Sequence, residues 1–136
     1  MQHNDLYQAR LELAKYRLER AKIDLSDAED SCIRERYFNA NNRAYYSIYH
    51  AISAVFALDG KAYKRHGTAL AAFNKDYISK GVFDKSFGRR IVNASEIRHA
   101  SDYDDFYIAS KDEVVKQIEL ARDLISEVER YIDSKK

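Results

Sequence analysis

The sequence predicts an all-α fold, an up-and-down bundle of four long helices and one short helix. Proline is absent and glycine occurs only four times, which disfavours an all-β fold because its turns usually need these residues. Apolar residues return at helical spacings of three and four along most of the chain. The length of 136 residues predicts a single domain over residues 1–136, large enough to bury a core.

Composition limits the class of protein further. The charged fraction is 33% and the hydrophobic fraction is 46%, and eleven tyrosines and six phenylalanines are present, which together exclude long disorder. No run of apolar residues is long enough to span a membrane, and residues 1–10 lack a secretory apolar core. The single cysteine, Cys32, excludes a disulfide within the chain and a cysteine-based metal site. A lone thiol favours a reducing, cytoplasmic location.

The first helix is predicted from about Asp5 to Asp30, with apolar residues on two sides. At 100° per residue, the two stripes lie roughly 150° apart around the helix axis. A helix with two apolar sides usually has two partners, and a second subunit is one candidate. The alternative is a helix sunk deeply into one bundle. The first stripe contains Leu11, Ala14, Leu18, Ala21, Leu25 and Ala28, and the second contains Leu6, Ala9, Leu13, Tyr16 and Ile23.

Four further helices follow. The second is predicted from about Cys32 to Leu58, where Asp59-Gly60 supplies a turn. The third covers about Gly67 to Ser79, with Gly81 as a left-handed stop, and the fourth runs from about Asp84 to Ser101. Ser110 and Glu113 form a capping box, so the last helix is predicted from about Lys111 to Asp133.

Charge is segregated along the chain. Residues 60–90 contain eight Lys or Arg residues against two Asp or Glu residues, although the whole chain carries a net charge of only +1. A local basic region of this kind is typical of a surface that faces phosphates. The alternative is an ordinary solvated face.

Two polar clusters are candidates for chemistry. The second helix carries Asn42, Arg43, Tyr46 and His50 at helical spacing, and the end of the fourth carries Arg98, His99, Asp102 and Tyr103. We expect Asp102 to pair with Arg98 or Arg43, and Tyr103 to bury its ring and use its hydroxyl in a hydrogen bond. The alternative for each cluster is a helix surface with local ion pairs.

Several familiar sites are missing. The chain has no glycine-rich phosphate loop and no nucleophile elbow. Glu96 and His99 provide one Glu-x-x-His pair, but a four-helix di-metal centre needs two. The sequence therefore predicts neither a metal nor another cofactor.

Three motifs resemble the HEPN domain family. Residues 42–51, Asn-Arg-Ala-Tyr-Tyr-Ser-Ile-Tyr-His-Ala, resemble the second helix of HEPN domains. The later His66-Gly67, Phe73 and Gly81 have the matching spacing. Residues 98–103, Arg-His-Ala-Ser-Asp-Tyr, resemble the Arg-x-x-Ala/Ser-Asp-Tyr signature of an uncharacterised prokaryotic subgroup. The resemblance spans roughly residues 30 to 130.

This resemblance implies a helical bundle that forms a homodimer. In many HEPN proteins an Arg-x4–6-His motif from each subunit meets at the dimer cleft and cleaves RNA without a metal. Such domains often act as toxins or defence effectors beside a nucleotidyltransferase partner. By position, Arg98 matches the arginine and Tyr103 matches a tyrosine of one subfamily motif, but Asp102 stands near the place of the histidine. Arg43 and His50 formally satisfy Arg-x6-His, although on the second helix rather than at the usual place.

An aspartate near the place of the motif's histidine makes acid–base catalysis at this position unfavourable. Histidine can serve as an acid or a base near neutral pH, whereas an ionised aspartate cannot donate a proton. The first hypothesis is therefore a dimeric module that binds a nucleotide, RNA or a partner protein through Arg98 and the polar residues Asn42, Arg43, Tyr46, His66, Asp102 and Tyr103. The second is an active metal-independent RNase, in which Arg98 clamps phosphate and His50 or His99 is the acid–base group. A purely structural bundle or an adaptor is the remaining alternative.

Overall fold

The computed structural model describes the backbone of residues 2–135 and the side chains of residues 5–135. Within that part of the chain the fold is all-α, as predicted. The helices are α1 (Gln2–Ile33), α2 (Tyr37–Leu58), α3 (His66–Phe73), α4 (Ser86–Tyr103) and α5 (Lys111–Ser134), and α3 continues into a π-helical turn at Asn74–Ile78. None of the described helices is long and apolar enough to cross a membrane.

Helix α2 is the centre of the bundle. It packs against α1 and α5 on its long sides and contacts α3 and α4. Its side chains Ile48, Ile52 and Val55 are completely buried, because apolar residues at spacings of three and four line its inner faces. This central position lets α2 present polar side chains to α1 and to α4.

The junction between α1 and α2 differs from the prediction. Helix α1 extends to Ile33 and α2 begins at Tyr37, whereas the sequence predicts a break before Cys32. Glu35 adopts a left-handed conformation with φ of 62°, its N–H donates to the Cys32 carbonyl, and the Arg36 N–H donates to the Ser31 carbonyl. These bonds are those of a Schellman motif. The sequence does not predict this Schellman motif, because a glutamate occupies the left-handed position where glycine is usual.

The other helix ends agree closely with the sequence. Ser110 accepts a hydrogen bond from the Glu113 N–H at 3.2 Å, which confirms the predicted start of α5. Gly81 has φ of 77° and ends the third helical segment, as predicted. Local capping rules therefore correctly predict where the helical segment before α4 ends and where α5 begins.

The two apolar stripes of α1 differ in burial. The stripe through Leu11, Ala14 and Leu18 is buried in the core. The stripe through Leu6, Leu13, Tyr16 and Ile23 is exposed, so the alternative of a helix buried on both sides is wrong for this chain. An exposed apolar face is therefore left on the outside of the bundle.

Candidate functional site

The fold brings Arg98 of α4 against α2 and α3. Its Nε donates to Asp102 Oδ2 at 2.6 Å, which confirms the predicted pair one helical turn apart. Its guanidinium carbon lies 4.8 Å from the Tyr45 ring centroid and 5.1 Å from that of Tyr46. Stacking on these rings holds the guanidinium in place as a cation–π contact.

Arg98 also meets a histidine that is distant in the sequence. Its Nη1 lies 3.4 Å from His66 Nδ1, at the first residue of α3. The His66 ring stacks on Tyr49 with centroids 3.9 Å apart. An arginine and a histidine thus become neighbours across α4 and α3, although the sequence places no histidine four to six residues after Arg98.

A second set of polar contacts ties α2 to α1. Asp24 of α1 is buried, with only 7% of its side chain exposed, and its Oδ2 lies 2.8 Å from His50 Nδ1. Its other oxygen, Oδ1, accepts from Arg43 Nη1 at 3.4 Å. Asn42 Oδ1 accepts from Arg43 Nη2 at 2.8 Å. A buried carboxylate with two basic partners is the arrangement that makes its burial tolerable.

The two polar clusters meet at Tyr46. The Arg43 guanidinium carbon lies 5.2 Å from the Tyr46 ring centroid, and Arg98 contacts the same ring. Tyr46 therefore lies between the group on α1 and the group on α4. The structure brings all the predicted site residues except His99 and Tyr103 into this continuous set of contacts.

His99 and Tyr103 lie at the rim of an open cleft beside Arg98. The cleft has a volume of about 420 Å³ and is lined by Tyr45, Arg65, His66, Gly67, Ser95, Arg98, His99, Asp102 and Tyr103. The rings of His99 and Tyr103 contact each other with centroids 4.7 Å apart. Tyr103 is 76% exposed, so the prediction that its ring is buried is wrong. The reason is its place in the last turn of α4, on the side that faces solvent.

Burial and charge tune the titratable groups of this site. Burial, helped by the charges of Arg98 and His50, lowers the pKa of His66 below its usual value. Burial is the largest single influence on Arg98 and works against its charged form, but the hydrogen bonds and charges of Asp102 and Tyr46 together outweigh burial and raise the pKa of Arg98. Burial raises the pKa of Tyr45 to about 12. At neutral pH the cleft therefore holds a fixed cation beside a neutral imidazole.

The basic block of residues 60–90 contributes only in part. Arg65 and His66 line the cleft, whereas Lys61 lies 3.9 Å from Asp76 and Arg90 pairs with Asp123 at 2.9 Å. Arg65 is exposed and adds a second arginine to the cleft wall. The remaining lysines of the block do not line the cleft.

Asp24 is one of the site residues that sequence reasoning missed, together with Tyr45 and Tyr49. It occurs one turn after Ala21 and one turn before Ala28, within the apolar stripe of α1. A charged residue in a buried stripe signals a paired charge, because an unpaired one is very costly there. Among residues 5–135, no group of three or more His, Cys, Asp or Glu side chains is arranged to hold a metal ion.

Comparison with known proteins covers most of the chain. The sequence model of the HEPN domain family matches residues 14–131. A UPF0332 protein of Thermotoga maritima is 28% identical over 91% of this chain and 94% of its own length. Two proteins of Methanocaldococcus jannaschii, each named a "Putative toxin", are 27% and 25% identical over 93% and 87% of this chain, and over 83% and 80% of their own lengths. The matched residues 14–131 include every residue of the cleft.

Proposed function

The chain belongs to the HEPN domain family, and from this premise we propose that it is a HEPN-type toxin module that binds RNA phosphates at the Arg98 cleft. The observation that carries the proposal is the placement of Arg98 in the wall of an open cleft, where its guanidinium is fixed by Asp102 and two tyrosine rings. A planar, permanently charged guanidinium is well suited to hold a phosphate.

The other groups of the cleft suit the rest of a nucleotide. Arg65 supplies a second positive charge, and the exposed rings of His99 and Tyr103 offer surfaces on which a base can stack. A volume of about 420 Å³ lies in the range of small-molecule sites. The ligand is therefore either a nucleotide unit of RNA or a free nucleotide, which share the same phosphate and base chemistry.

The toxin role and the partners rest on the family. Relatives named as toxins support a role as the toxic member of a pair. We propose a homodimer with a nucleotidyltransferase-type protein as its antitoxin or regulatory partner, in keeping with the family resemblance. The exposed apolar stripe of α1 supports self-association.

The proposal is tested by fluorescence anisotropy with a labelled single-stranded RNA and with labelled AMP, in the presence of a chelator. Arg98→Ala should weaken RNA binding about tenfold or more, since loss of one charge-assisted hydrogen bond costs about 1.5–3 kcal/mol. Arg130→Ala is the matched control, because Arg130 is on α5 and pairs with Glu127. Equal RNA binding by wild type and Arg98→Ala would reject the cleft, and binding of AMP alone would identify the ligand as a free nucleotide.

A second candidate function is RNA cleavage without a metal. The observation in its favour is His66, whose lowered pKa leaves it neutral at pH 7 beside Arg98. In such a step the imidazole accepts the proton of a ribose 2′-OH, and the 2′-oxygen attacks the adjacent phosphorus. The bond from phosphorus to the 5′-oxygen breaks and that oxygen takes a proton from solvent, leaving a 2′,3′-cyclic phosphate and a 5′-hydroxyl.

The histidines of the site separate the two functions. His50 is held by Asp24 and does not line the cleft, whereas His66 and His99 do. If cleavage occurs, His66→Gln should abolish it while RNA binding persists, and His99→Gln should retain cleavage if His99 only stacks. RNA that stays intact with wild-type protein at saturating concentration would leave binding as the function.

A further inference from the structure

A small cavity lies between α1, α2 and the connection that leads from α2 into α3. Its volume is about 90 Å³, and it is lined by Arg17, Tyr49, Ser53, Phe56, Lys61, Ala62, Tyr63 and Ala69. Two of these lining residues are basic and none is acidic. We call this space the Arg17 cavity. It is distinct from the Arg98 cleft, with which it shares no lining residue.

Arg17 is a cation without a counter-charge. The residue is half-buried, and its Nη1 donates to the Ser53 carbonyl at 3.2 Å. Among residues 5–135, no ion pair joins Arg17 to a carboxylate. A charge that is partly removed from water is normally paired, because burial costs hydration. The bond to a backbone carbonyl leaves most of the N–H groups of the guanidinium available to a further acceptor.

Lys61 brings a second positive charge to the same cavity. Its Nζ lies 3.9 Å from Asp76 Oδ2, at the outer limit of an ion pair, and 4.7 Å from the Tyr77 ring centroid. A separation of 3.9 Å is too long for a hydrogen bond between the ammonium and the carboxylate. The ammonium therefore retains N–H donors for an anion in the cavity.

The size of the Arg17 cavity limits what can enter it. A water molecule occupies about 30 Å³ of liquid, so a cavity of about 90 Å³ has room for about three waters. Pockets for drug-sized ligands measure about 300 Å³ or more. A small tetrahedral oxyanion fits, whereas a nucleobase or a ribose does not. Ser53 and Tyr63 also line the space, and a hydroxyl is a donor that an anion accepts.

Tyr49 connects the Arg17 cavity with the Arg98 cleft. Its side chain lines the cavity, and its ring stacks on the cleft residue His66 with centroids 3.9 Å apart. Two stacked rings therefore separate the two spaces. The connection that passes between them carries Lys64 and Arg65, which are both exposed, so a positively charged surface joins the cavity to the cleft.

We propose that Arg17 and Lys61 form a second phosphate-binding site. Two cations with available N–H groups and a wall without acidic residues favour an oxyanion, and the volume favours a phosphate group alone. The phosphate belongs either to an RNA strand whose neighbouring phosphate is at Arg98, or to free inorganic phosphate, since both present the same oxygens. The first source rests on the proposed function, and the second does not.

The first arm of the test uses inorganic phosphate alone. Thermal unfolding of the full chain is followed as phosphate replaces chloride at constant ionic strength. If free phosphate is the ligand, wild type should be stabilised, because an anion that binds only the folded state raises the melting temperature. Arg17→Gln and Lys61→Gln should both lose this stabilisation. Arg34→Gln is the matched control, since Arg34 pairs with Asp30 and does not line the cavity.

The second arm measures binding of AMP and of a single-stranded RNA of about six nucleotides, a length within the usual range of such sites. If a strand is the ligand, Arg17→Gln and Lys61→Gln should each weaken RNA binding severalfold and leave AMP binding unchanged. The slope of log affinity against log salt should become shallower by about 0.7, the contribution of one single-strand phosphate contact. A variant that is merely less stable would not select RNA over AMP.

The outcomes separate the second site from the cleft. Loss of the phosphate response alone would identify free phosphate as the ligand, and loss of RNA affinity alone would identify the strand. If both variants behave as Arg34→Gln does in the two arms, the second site is overturned, even where Arg98→Ala abolishes RNA binding. RNA binding that is insensitive to Arg98→Ala would overturn the proposed function instead, and the phosphate arm would still decide whether the Arg17 cavity binds an anion.

Discussion

Asp102 orients the guanidinium of Arg98 and also sets the local charge of the cleft. Asp102 lies 2.6 Å from Arg98 and is 40% exposed, so it orients the guanidinium without removing its charge from the cleft. An exposed pair at this spacing contributes only about 0.3–0.5 kcal/mol to stability. Its main effect is therefore on geometry and on the local field.

Replacing Asp102 by Asn should change RNA affinity more than stability. The substitution removes a negative charge from the wall of the cleft, so phosphate binding should become severalfold tighter. The free energy of unfolding should fall by no more than about 0.5 kcal/mol. Anisotropy titrations and urea unfolding of the same preparation measure both. Loss of RNA binding with unchanged stability would mean that Asp102 itself contacts the ligand.

His66 should make stability fall as the pH drops. Its pKa in the folded chain lies below the usual value near 6.5, because it is partly buried beside Arg98. As the pH falls through that range, the unfolded chain takes up the proton first and the folded state loses stability relative to it. Thermal unfolding between pH 7.5 and pH 5 should show a smaller decrease for His66→Gln than for wild type, with His99→Gln as control. Parallel curves for wild type and His66→Gln would contradict the assignment.

At the scale of helices, most starts and stops could be predicted from side-chain chemistry. Ser110, Glu113 and Gly81 act through local rules that are visible in the sequence. The end of α1 could not be predicted, because its left-handed residue is Glu35, whereas glycine usually occupies this position. The position of Asp24 within an apolar stripe signals a buried, paired charge, but its partners His50 and Arg43 lie on another helix and could not be identified from the sequence.

The turn at Glu35 gives a prediction about backbone strain. A non-glycine residue in the left-handed region costs about 1–2 kcal/mol, so Glu35→Gly should stabilise the chain by up to about 1 kcal/mol after the loss of chain entropy. Gly60 is the opposite case: its φ is 73° and an added Cβ would lie 2.5 Å from Arg10 Cζ. Gly60→Ala should therefore destabilise by about 1–2 kcal/mol. Urea unfolding of both variants checks the pair, and destabilisation by Glu35→Gly would contradict it.

Helices α2 and α5 and the π-helical turn are joined at Asp59. Its Oδ2 accepts from Tyr77 at 2.5 Å and from Tyr131 at 2.8 Å, and burial together with these bonds raises the pKa of both tyrosines. Tyr77→Phe should lower the free energy of unfolding by about 1–3 kcal/mol, the usual cost of losing a hydrogen bond to a charged group. Tyr103→Phe, on an exposed ring, should have no measurable effect. Equal unfolding curves for Tyr77→Phe and wild type would remove Asp59 from the account of stability.

For the whole molecule, the sequence predicts the helical architecture and the pairing of Arg98 with Asp102, but not the convergence of the site. Helical periodicity is a local property, whereas the approach of His66 to Arg98 joins residues 32 positions apart and depends on how α3 crosses α4. In the sequence alone, the partial match to Arg-x4–6-His favours an inactive site, because no histidine stands four to six residues after Arg98. The structure shows that the imidazole of His66 lies beside Arg98 instead.

Binding of one labelled RNA to wild type and to Arg98→Ala, in the presence of a chelator, tests most directly whether the Arg98 cleft is an RNA phosphate site. The bound fraction and the cleaved fraction are measured in the same samples at two salt concentrations. Wild type should bind RNA, binding should weaken as salt rises, and Arg98→Ala should lose it. The RNA should stay largely intact, because Asp102 stands near the place of the family's acid–base histidine and no side chain there can donate a proton to the leaving oxygen. Equal binding by the two proteins would contradict the cleft, and strong cleavage by wild type that disappears in Arg98→Ala would replace the binding module by a nuclease.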